Sequence, residues 1–514
     1  MQRGKGIVLI MICLSLWWSG EKTVWAATPS SLPPSAQPLP AEMALSLEES
    51  IHLALQNNLD LHIERFGPQI QATTVGVEQS AFDPSLTLRS RIAREREGKD
   101  APASFPNEGV SDEKIVEVEG RLEQRLPTGS RYTLRFQEER LDSNESGAGR
   151  TINPTHTQSL RLSFRQSLLR NFGYRVNTTP IRLARNNQRI SEHVFRQRVI
   201  DIVTQVEELY WNLVLRKEEL KVEEQQLRLA QDLLQKARVQ VEVGTLASLD
   251  LLQAEAEVAS LQGDVIIAQN RVATANDRLK AALNLPQTLQ DWEVDIIPTD
   301  QPDFVSQPLS VDTAIETAFL HRPDYRQAQI DIENRSLQLR FRKNQLYPLL
   351  DLNGSVGLNN RLEEEFADAL DSTFSGKFFS WEVGLTLQIP LGNREARNRF
   401  TRAKLEASQA LTALKRLEQQ IIVEVREAVR NVRASQERVA TTRLARELAE
   451  KQLAAEEKKL AVGLSSVRNV LELQRDLAVA RRNEIQALID YRLALATLAK
   501  AQGITLDVYH LTLE

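Results

Sequence analysis

Hydrophobic and polar positions along this chain switch between two periods, and the whole sequence of switches occurs twice. Leu45 to Leu61 (LSLEESIHLALQNNLDL) and Leu309 to Tyr325 (LSVDTAIETAFLHRPDY) carry one helical pattern. Ser310 lies 264 residues after Ser46, and the same spacing carries Pro84 onto Pro348. Further on, Val243-Gly244 matches Val462-Gly463 at a spacing of 219, as Leu251-Leu252 matches Val470-Leu471. A repeat on this scale fixes architecture before single residues are weighed.

Each copy predicts short helix, helix, strands, very long helix and return helix. Ser46 and Glu49 form a capping box before an amphipathic helix that ends near Asn57-Asn58. Its twin ends at Arg322, where Pro323 fits only as the first position of a new helix. Helices from Leu59 to Phe82 and Pro323 to Tyr347 then stop at Pro84 and Pro348, because proline disfavours helix in the preceding residue. Gly67-Pro68 predicts a kink or break in the first.

Beyond those prolines the period becomes two. Leu86, Leu88 and Ile92 alternate with Thr87, Arg89 and Arg91, and the pattern returns around Val116–Glu123, Tyr132–Gln137 and Leu160–Arg165. In the second copy Leu350, Leu352 and Val356 oppose Asp351, Asn353 and Ser355, while Trp381, Val383, Leu385 and Leu387 oppose Glu382, Thr386 and Gln388. Segments of about ten residues, apolar on one face and charged on the other, suit a barrel in lipid with a wet lumen. Junction residues Pro84 and Ser167 bound the first strand region (about 85–168), and Pro348 and Pro390 the second (about 350–389). The first is 41 residues longer, room for two strands, with Leu126–Ser130 as the turn between them. The connections Glu95 to Lys114, Asp142 to His156 and Asn359 to Lys377 are long and polar.

Thr179-Pro180 opens a helix unbroken to Gly244, about 62 residues or ~93 Å. Val199, Val206, Leu213, Leu220, Leu227, Leu234 and Val241 recur in it every seventh position. The counterpart from about Ala396 to Ala461 repeats this at Val425, Val432, Val439, Leu453 and Leu460, interrupted by Arg446. Such heptads need supercoiled partners. Return helices from about Ser248 to Leu283 and Val467 to Gln502, stacked on the shorter helices that precede the strands, match one long helix in length. The expected division is therefore 1–26 signal peptide, 27–44 Pro-rich leader, 45–283 first repeat, 284–308 linker at the equator, 309–503 second repeat and 504–514 tail.

Composition narrows the class. Arg3 and Lys5 precede an apolar stretch from Ile7 to Trp18, then Val24-Trp25-Ala26, as in a cleaved secretory signal. The one cysteine, Cys13, follows a bulky Ile12, so no lipid anchor is expected. Removing 1–26, which carry +2, takes the formal charge from −5 to −7, no footprint for nucleic acid. After the signal no run of about 18 apolar residues predicts a membrane helix. The six histidines show no metal-ligand spacing, and no nucleophile, P-loop or dinucleotide motif occurs. No cofactor, no metal and no enzyme activity are expected.

The glycines at 244 and 463 each end a long helix and begin an antiparallel one, which a C-cap turn alone explains. These tips also lie ~100 Å from the strands by helix rise, where a partner would be met by Val243, Gly244, Thr245 and Leu246, and by Val462, Gly463, Leu464 and Ser465. Asp250 and Gln253, with their counterparts Asn469 and Glu472, stand six and nine residues past the glycines, placed to ring an entrance where acids attract cations. For each of these four, a plain solvent-facing role stands equally open.

The repeated LSLEESIHLALQNN and LSVDTAIETAFLHRPD, the QSLL and IPLG after strands, and VGTLASLDLLQAEAEV with VGLSSVRNVLELQRDL resemble the TolC-type outer-membrane efflux proteins across nearly the whole chain past the signal. The resemblance implies an α+β, mainly α fold: a homotrimer whose outer-membrane β-barrel continues into an antiparallel coiled-coil α-helical barrel in the periplasm. It implies an exit duct for efflux or type I secretion, lipid around the barrel, and a periplasmic adaptor protein and inner-membrane transporter docking at the tips. The family's entrance acids fall here on Asn469 and Glu472, so one acid is missing. A family link two residues past the second glycine falls on uncharged Ser465. The family norm is four strands per chain, twelve in the trimer; six per chain would make eighteen. A periplasmic coiled-coil scaffold and a pump-independent porin remain the rival readings.

Overall fold

The computed structural model describes residues 42–98, 110–143, 152–243, 248–285, 290–306, 308–360, 362–462 and 464–512. The signal and most of the leader lie outside these residues, as do Gly244, Thr245, Leu246 and Gly463.

The capping box forms as the sequence predicts. Glu49 N–H donates to Ser46 Oγ at 3.2 Å and Ser46 N–H to Glu49 Oε2 at 2.8 Å, opening α1 (Leu47–Asn57). Asn58 then caps α2 (Leu59–Gln79) by accepting from the Asp60 and Leu61 amides. Of the expected kink or break, the break does not occur: α2 runs through Pro68 as one helix. An interior proline, through its lost hydrogen bond and ring clash together, costs about 3 kcal/mol, and α2 packs along the next long helix, which offsets it. Strands β2 (Ser85–Gly98), β3 (Val110–Arg125), β4 (Ser130–Ser143) and β5 (Thr155–Ser167) follow, the first two extending well into the expected loops. In the second copy Pro323 is the first residue of its helix, as predicted.

Four helices line each half of the protomer in a single layer. The long helices are α3 (Thr179–Glu242, 64 residues) and, in the second copy, α8 (Arg394–Ala461, 68 residues), ~96 and ~102 Å long. Between them in sequence come α4 (Ser248–Leu283), α5 (Val311–His321), α6 (Pro323–Asn344), β7 (Leu349–Asn359), α7 (Phe366–Phe374) and β8 (Phe378–Gln388), and α9 (Val467–Gln502) follows. Near the strands the packing order is α2-α3-α6-α8; towards the tips it is α4-α3-α9-α8. Short helices thus stack end to end beside each long one, as the lengths require. Because α3 has neighbours on both sides, its predicted seam is fully buried only at Val199, Val206 and Leu213. Towards the tip a second row, Val222, Gln226, Ala230, Leu233 and Ala237, is buried more deeply than Leu220, Leu227, Leu234 and Val241. Arg446, the interruption in the other heptad, reaches across to Glu484 of α9 at 2.5 Å and pairs with Glu450 of its own helix at 2.9 Å.

The equator holds the largest core, joining Ile51, Ile200, Val203, Leu213, Leu279, Leu283 and Leu506. Glu42–Leu45 (β1), expected as leader up to residue 44, pairs in parallel with Asp295–Pro298 (β6) from the linker. The expected tail folds back as a one-turn helix, Thr505–Val508, with Leu506 buried. Asn284 and Gly503, 219 residues apart, end α4 and α9 with φ of 50° and 74°. A Cβ on Gly503 would stand 2.9 Å from backbone atoms of Arg322, whose guanidinium pairs with Asp324 and Glu424 at 2.7 Å each.

Candidate functional site

Six strands form one antiparallel sheet in the order β2-β3-β4-β5-β7-β8. The hairpin that makes the first copy longer, β3–β4, is therefore part of the same sheet as the other four strands. Register puts Leu86, Leu122, Leu134, Leu162, Val356 and Trp381 in one row across all six strands. Several of that face are largely exposed: Leu86 at 68 %, Trp381 at 70 % and Val383 at 67 %. The opposite face carries Arg89, Glu119, Arg121, Arg135, Arg161 and Arg165 at alternate positions. One face is built for hydrocarbon and the other for water. Among the described residues both edges, β2 and β8, lack a neighbour on their outer sides.

The helical layer is open in the same way. At the α2 edge, Leu59, Ile63, Phe66, Ile70 and Val77 form an exposed stripe at helical spacing. At the α8 edge, Leu405, Leu411, Val423, Leu444 and Leu448 are exposed as well. Monomeric soluble proteins rarely leave apolar stripes of this length uncovered. The protomer is an open layer, apolar along both margins.

The junctions between sheet and helices are held by side-chain to backbone bonds. Ser167 Oγ donates to Asp351 Oδ1 at 2.9 Å, and Arg165 pairs with the same fully buried carboxylate. The Leu126–Ser130 turn rests on the strand-to-helix crossing: Gly173 N–H donates to the Thr128 carbonyl at 3.0 Å. Gly129 there has φ of 91°, and a Cβ on it would lie 2.2 Å from the Asn171 carbonyl oxygen. Pro84, Pro348 and Pro390 sit in the short non-helical links flanking strands, as expected. Asn359 to Lys377, expected as a polar loop, instead contains α7, which lies on β5 and β7 and covers Gln158.

At the far end, Val243, Val462 and Leu464 are 72 %, 69 % and 79 % exposed. Leu464 N–H donates to the Lys459 carbonyl at 2.9 Å, closing the end of α8. Ser465 is spent within its own hairpin, donating to Glu456 Oε1 at 2.6 Å. That hydroxyl, together with the Lys459 ammonium, holds the Glu456 carboxyl below its ordinary range. Asp250 and Gln253 occupy the first two turns of α4, Asn469 and Glu472 those of α9. Asn469 is tied down through Ser466 Oγ at 3.3 Å and Ser465 Oγ at 3.4 Å, while Gln253 and Glu472 are exposed. The links between the two hairpins, among them Arg482 with Glu223 and Arg481 with Gln225, were not singled out from sequence, nor was the one nearest the tips. Arg475 of α9 donates from one Nη2 to both oxygens of Glu257 on α4, at 2.6 and 2.8 Å. Glu257 in turn raises the guanidinium pKa. The repeat could not reveal this pair, because Arg475 and Glu257 are not equivalent positions in the two copies.

Among the described residues no helix is long and apolar enough to cross a membrane, and no three His, Asp or Glu side chains gather as for a metal ion.

Comparison with known proteins bears on this open layer directly. A family model described as outer membrane efflux protein matches residues 50–285 and 314–504. Over 277 residues the chain is 26 % identical to nodulation protein T of Rhizobium leguminosarum bv. trifolii, spanning about half (54 %) of that protein and 51 % of this chain. The fold is similar to the Campylobacter jejuni CmeC outer membrane channel, with a TM-score of 0.65, 15 % identity, and 89 % and 86 % of the two chains covered. It is also similar to the outer membrane protein VceC of Vibrio cholerae, with a TM-score of 0.62, 17 % identity, and 89 % and 96 % covered.

Proposed function

The chain belongs to the outer membrane efflux protein family, and on that premise we propose that three copies close into an exit duct through the outer membrane. The observation that carries this reading is the matched pair of open margins. An unpaired β2 edge and an unpaired β8 edge, each with an exposed apolar row, invite pairing with the next copy. The apolar stripes of α2 and α8 lie along the same two margins, so one rotation covers all of them.

Three sheets of six strands give a barrel of eighteen. At a strand spacing of ~4.8 Å and a tilt of ~40°, its diameter is ~36 Å, against ~24 Å for twelve strands. The helical layers then form a periplasmic tube ~100 Å long. Transport through it is passive, and the energy comes from an inner-membrane transporter reached through a periplasmic adaptor. Val243, Val462 and Leu464 at the tips offer the exposed apolar surface such an adaptor would bury. Asp250, Gln253, Asn469 and Glu472 line the entrance, and the Arg475–Glu257 bridge keeps the two hairpins of one protomer in step.

The test is association. Detergent extracts should yield a trimer that salt washing does not release from membranes. It should co-purify an adaptor, and the double variant Val462→Asp, Leu464→Asp should lose the adaptor while remaining trimeric. Release by salt alone, or unchanged adaptor recovery from the double variant, overturns the corresponding part of the reading.

A further inference from the structure

The water-facing side of the sheet has an uneven distribution of charge. Arg121, Arg135 and Arg161 are direct cross-strand partners on β3, β4 and β5, about 5 Å apart from strand to strand. Like charges placed directly opposite one another destabilise a sheet, so three in a row need an account. One carboxylate serves most of them: Glu119 lies 2.9 Å from Arg121, 3.2 Å from Arg135 and 3.8 Å from Arg89. Arg161 has no ion pair among the described residues.

Towards the helices, Arg125, Arg131 and Arg165 form a second registered row. Glu123 takes Arg131 at 3.1 Å and buried Asp351 takes Arg165, while Arg125 has no ion pair among the described residues. Between the rows a cleft of about 300 Å³ is lined by Arg131, Arg161, Arg165, Asn353 and Ser355, with Glu382 as its one carboxylate. From Arg89 to these two rows, seven guanidinium groups thus face four carboxylates, Glu119, Glu123, Asp351 and Glu382. Nearer the loops the balance reverses, with Glu117 directly opposite Glu139. The positive potential is confined to the half of the sheet next to the helices.

We propose that this half of the barrel is a binding band for multivalent oxyanions, so that the cargo class of the duct is anionic: solutes bearing several phosphate, sulfate or carboxylate groups. The inference rests on the barrel reading above, which turns the arginine face inward and repeats each row three times, giving nine guanidinium groups at one height. Arginine's planar fork donates two parallel hydrogen bonds to such an oxyanion. Four of the six arginines in the two rows, at 121, 125, 131 and 135, stand on the β3–β4 hairpin. The same 41-residue excess that widens the wall therefore also supplies most of its binding groups.

The probe is inorganic tripolyphosphate, titrated calorimetrically into the detergent-purified trimer. Wild type should bind it saturably, and about tenfold more weakly when salt is raised from about 50 to about 200 mM, since screening weakens exposed charge contacts. The triple variant Arg121→Gln, Arg135→Gln, Arg161→Gln should bind at least tenfold more weakly. Arg161→Gln alone, which breaks no ion pair, should bind at least threefold more weakly with its trimer intact, while Arg438→Gln on an exposed helix face should match wild type. A trimer with no affinity for tripolyphosphate, or a trimeric Arg161→Gln variant and triple variant both binding like wild type, overturns the band. Absence of a detergent-resistant trimer in the wild type instead overturns the barrel on which it rests.

Discussion

Glu207 of α3 sits in the equatorial core at 7 % exposure, and its substitution by glutamine should change stability in a way set by pH. Burial pushes its carboxyl up from 4.5 to about 7, against the opposing pull of a hydrogen bond from Tyr509 and of the Arg492 charge. Below about pH 4.5 the group is protonated in folded and unfolded chains alike and contributes no pH dependence. Between about 4.5 and 7 the unfolded chain releases the proton while the folded one keeps it, so stability falls as pH rises. The difference of about 2.5 units at 1.36 kcal/mol each amounts to roughly 3 kcal/mol, reached by about pH 8. Glu207→Gln is neutral at every pH and escapes that loss. Hydrogen exchange read by mass spectrometry on Val203–Trp211 and Ile504–Leu511 reports the opening of this core. At pH 8 the variant should exchange on the order of a hundredfold more slowly than wild type, and at pH 4 at the same rate. A ratio that does not change with pH would refute burial as the cause of the raised carboxyl.

Gly129→Ala should weaken the sheet-to-helix junction, because its Cβ meets the Asn171 carbonyl at 2.2 Å and its φ is 91°; a loss of about 2 kcal/mol or more is expected, seen as trimer dissociation at lower temperature. Gly503→Ala places a Cβ 2.9 Å from the Arg322 backbone and should lower the midpoint of helix melting by circular dichroism, at a cost of about 1–3 kcal/mol. Arg475→Glu sets like charges across the hairpins. The bridge it removes, with Arg475 largely exposed and Glu257 half-buried, contributes about 1 kcal/mol, so the fold should persist while single-channel conductance rises at least twofold. Unchanged conductance would mean that the bridge does not hold the entrance.

Much of this fold is written in periodicity. The repeat at 264 and 219 located every long helix to within a few residues, since Val199, Val206, Leu213 and the twins Val425 and Val432 are buried seams at the seven-residue spacing of supercoiled helices. The six strands were legible because each places one apolar row in register with the next. What escaped were contacts between segments distant in sequence. The β1–β6 ribbon joins residues about 250 apart through four pairs, too short for a period to show. The helix α7 lies in a stretch whose LEEEFADALDSTF reads as polar. Continuity through Pro68 depends on the neighbouring α3, which local propensity does not register. At the tips, the sequence marked Asn469, Glu472 and Ser465, but which of them bond to each other is settled by rotamers and capping rather than by spacing.

Electron microscopy of the full-length protein in lipid nanodiscs tests the account most directly, by counting the strands around the pore. Three protomers closing β8 on β2 of the next should give a hollow barrel of eighteen strands, ~36 Å across, with the β3–β4 hairpin in the wall. A twelve-stranded barrel with that hairpin outside it, or single open layers with no central passage, would contradict the account.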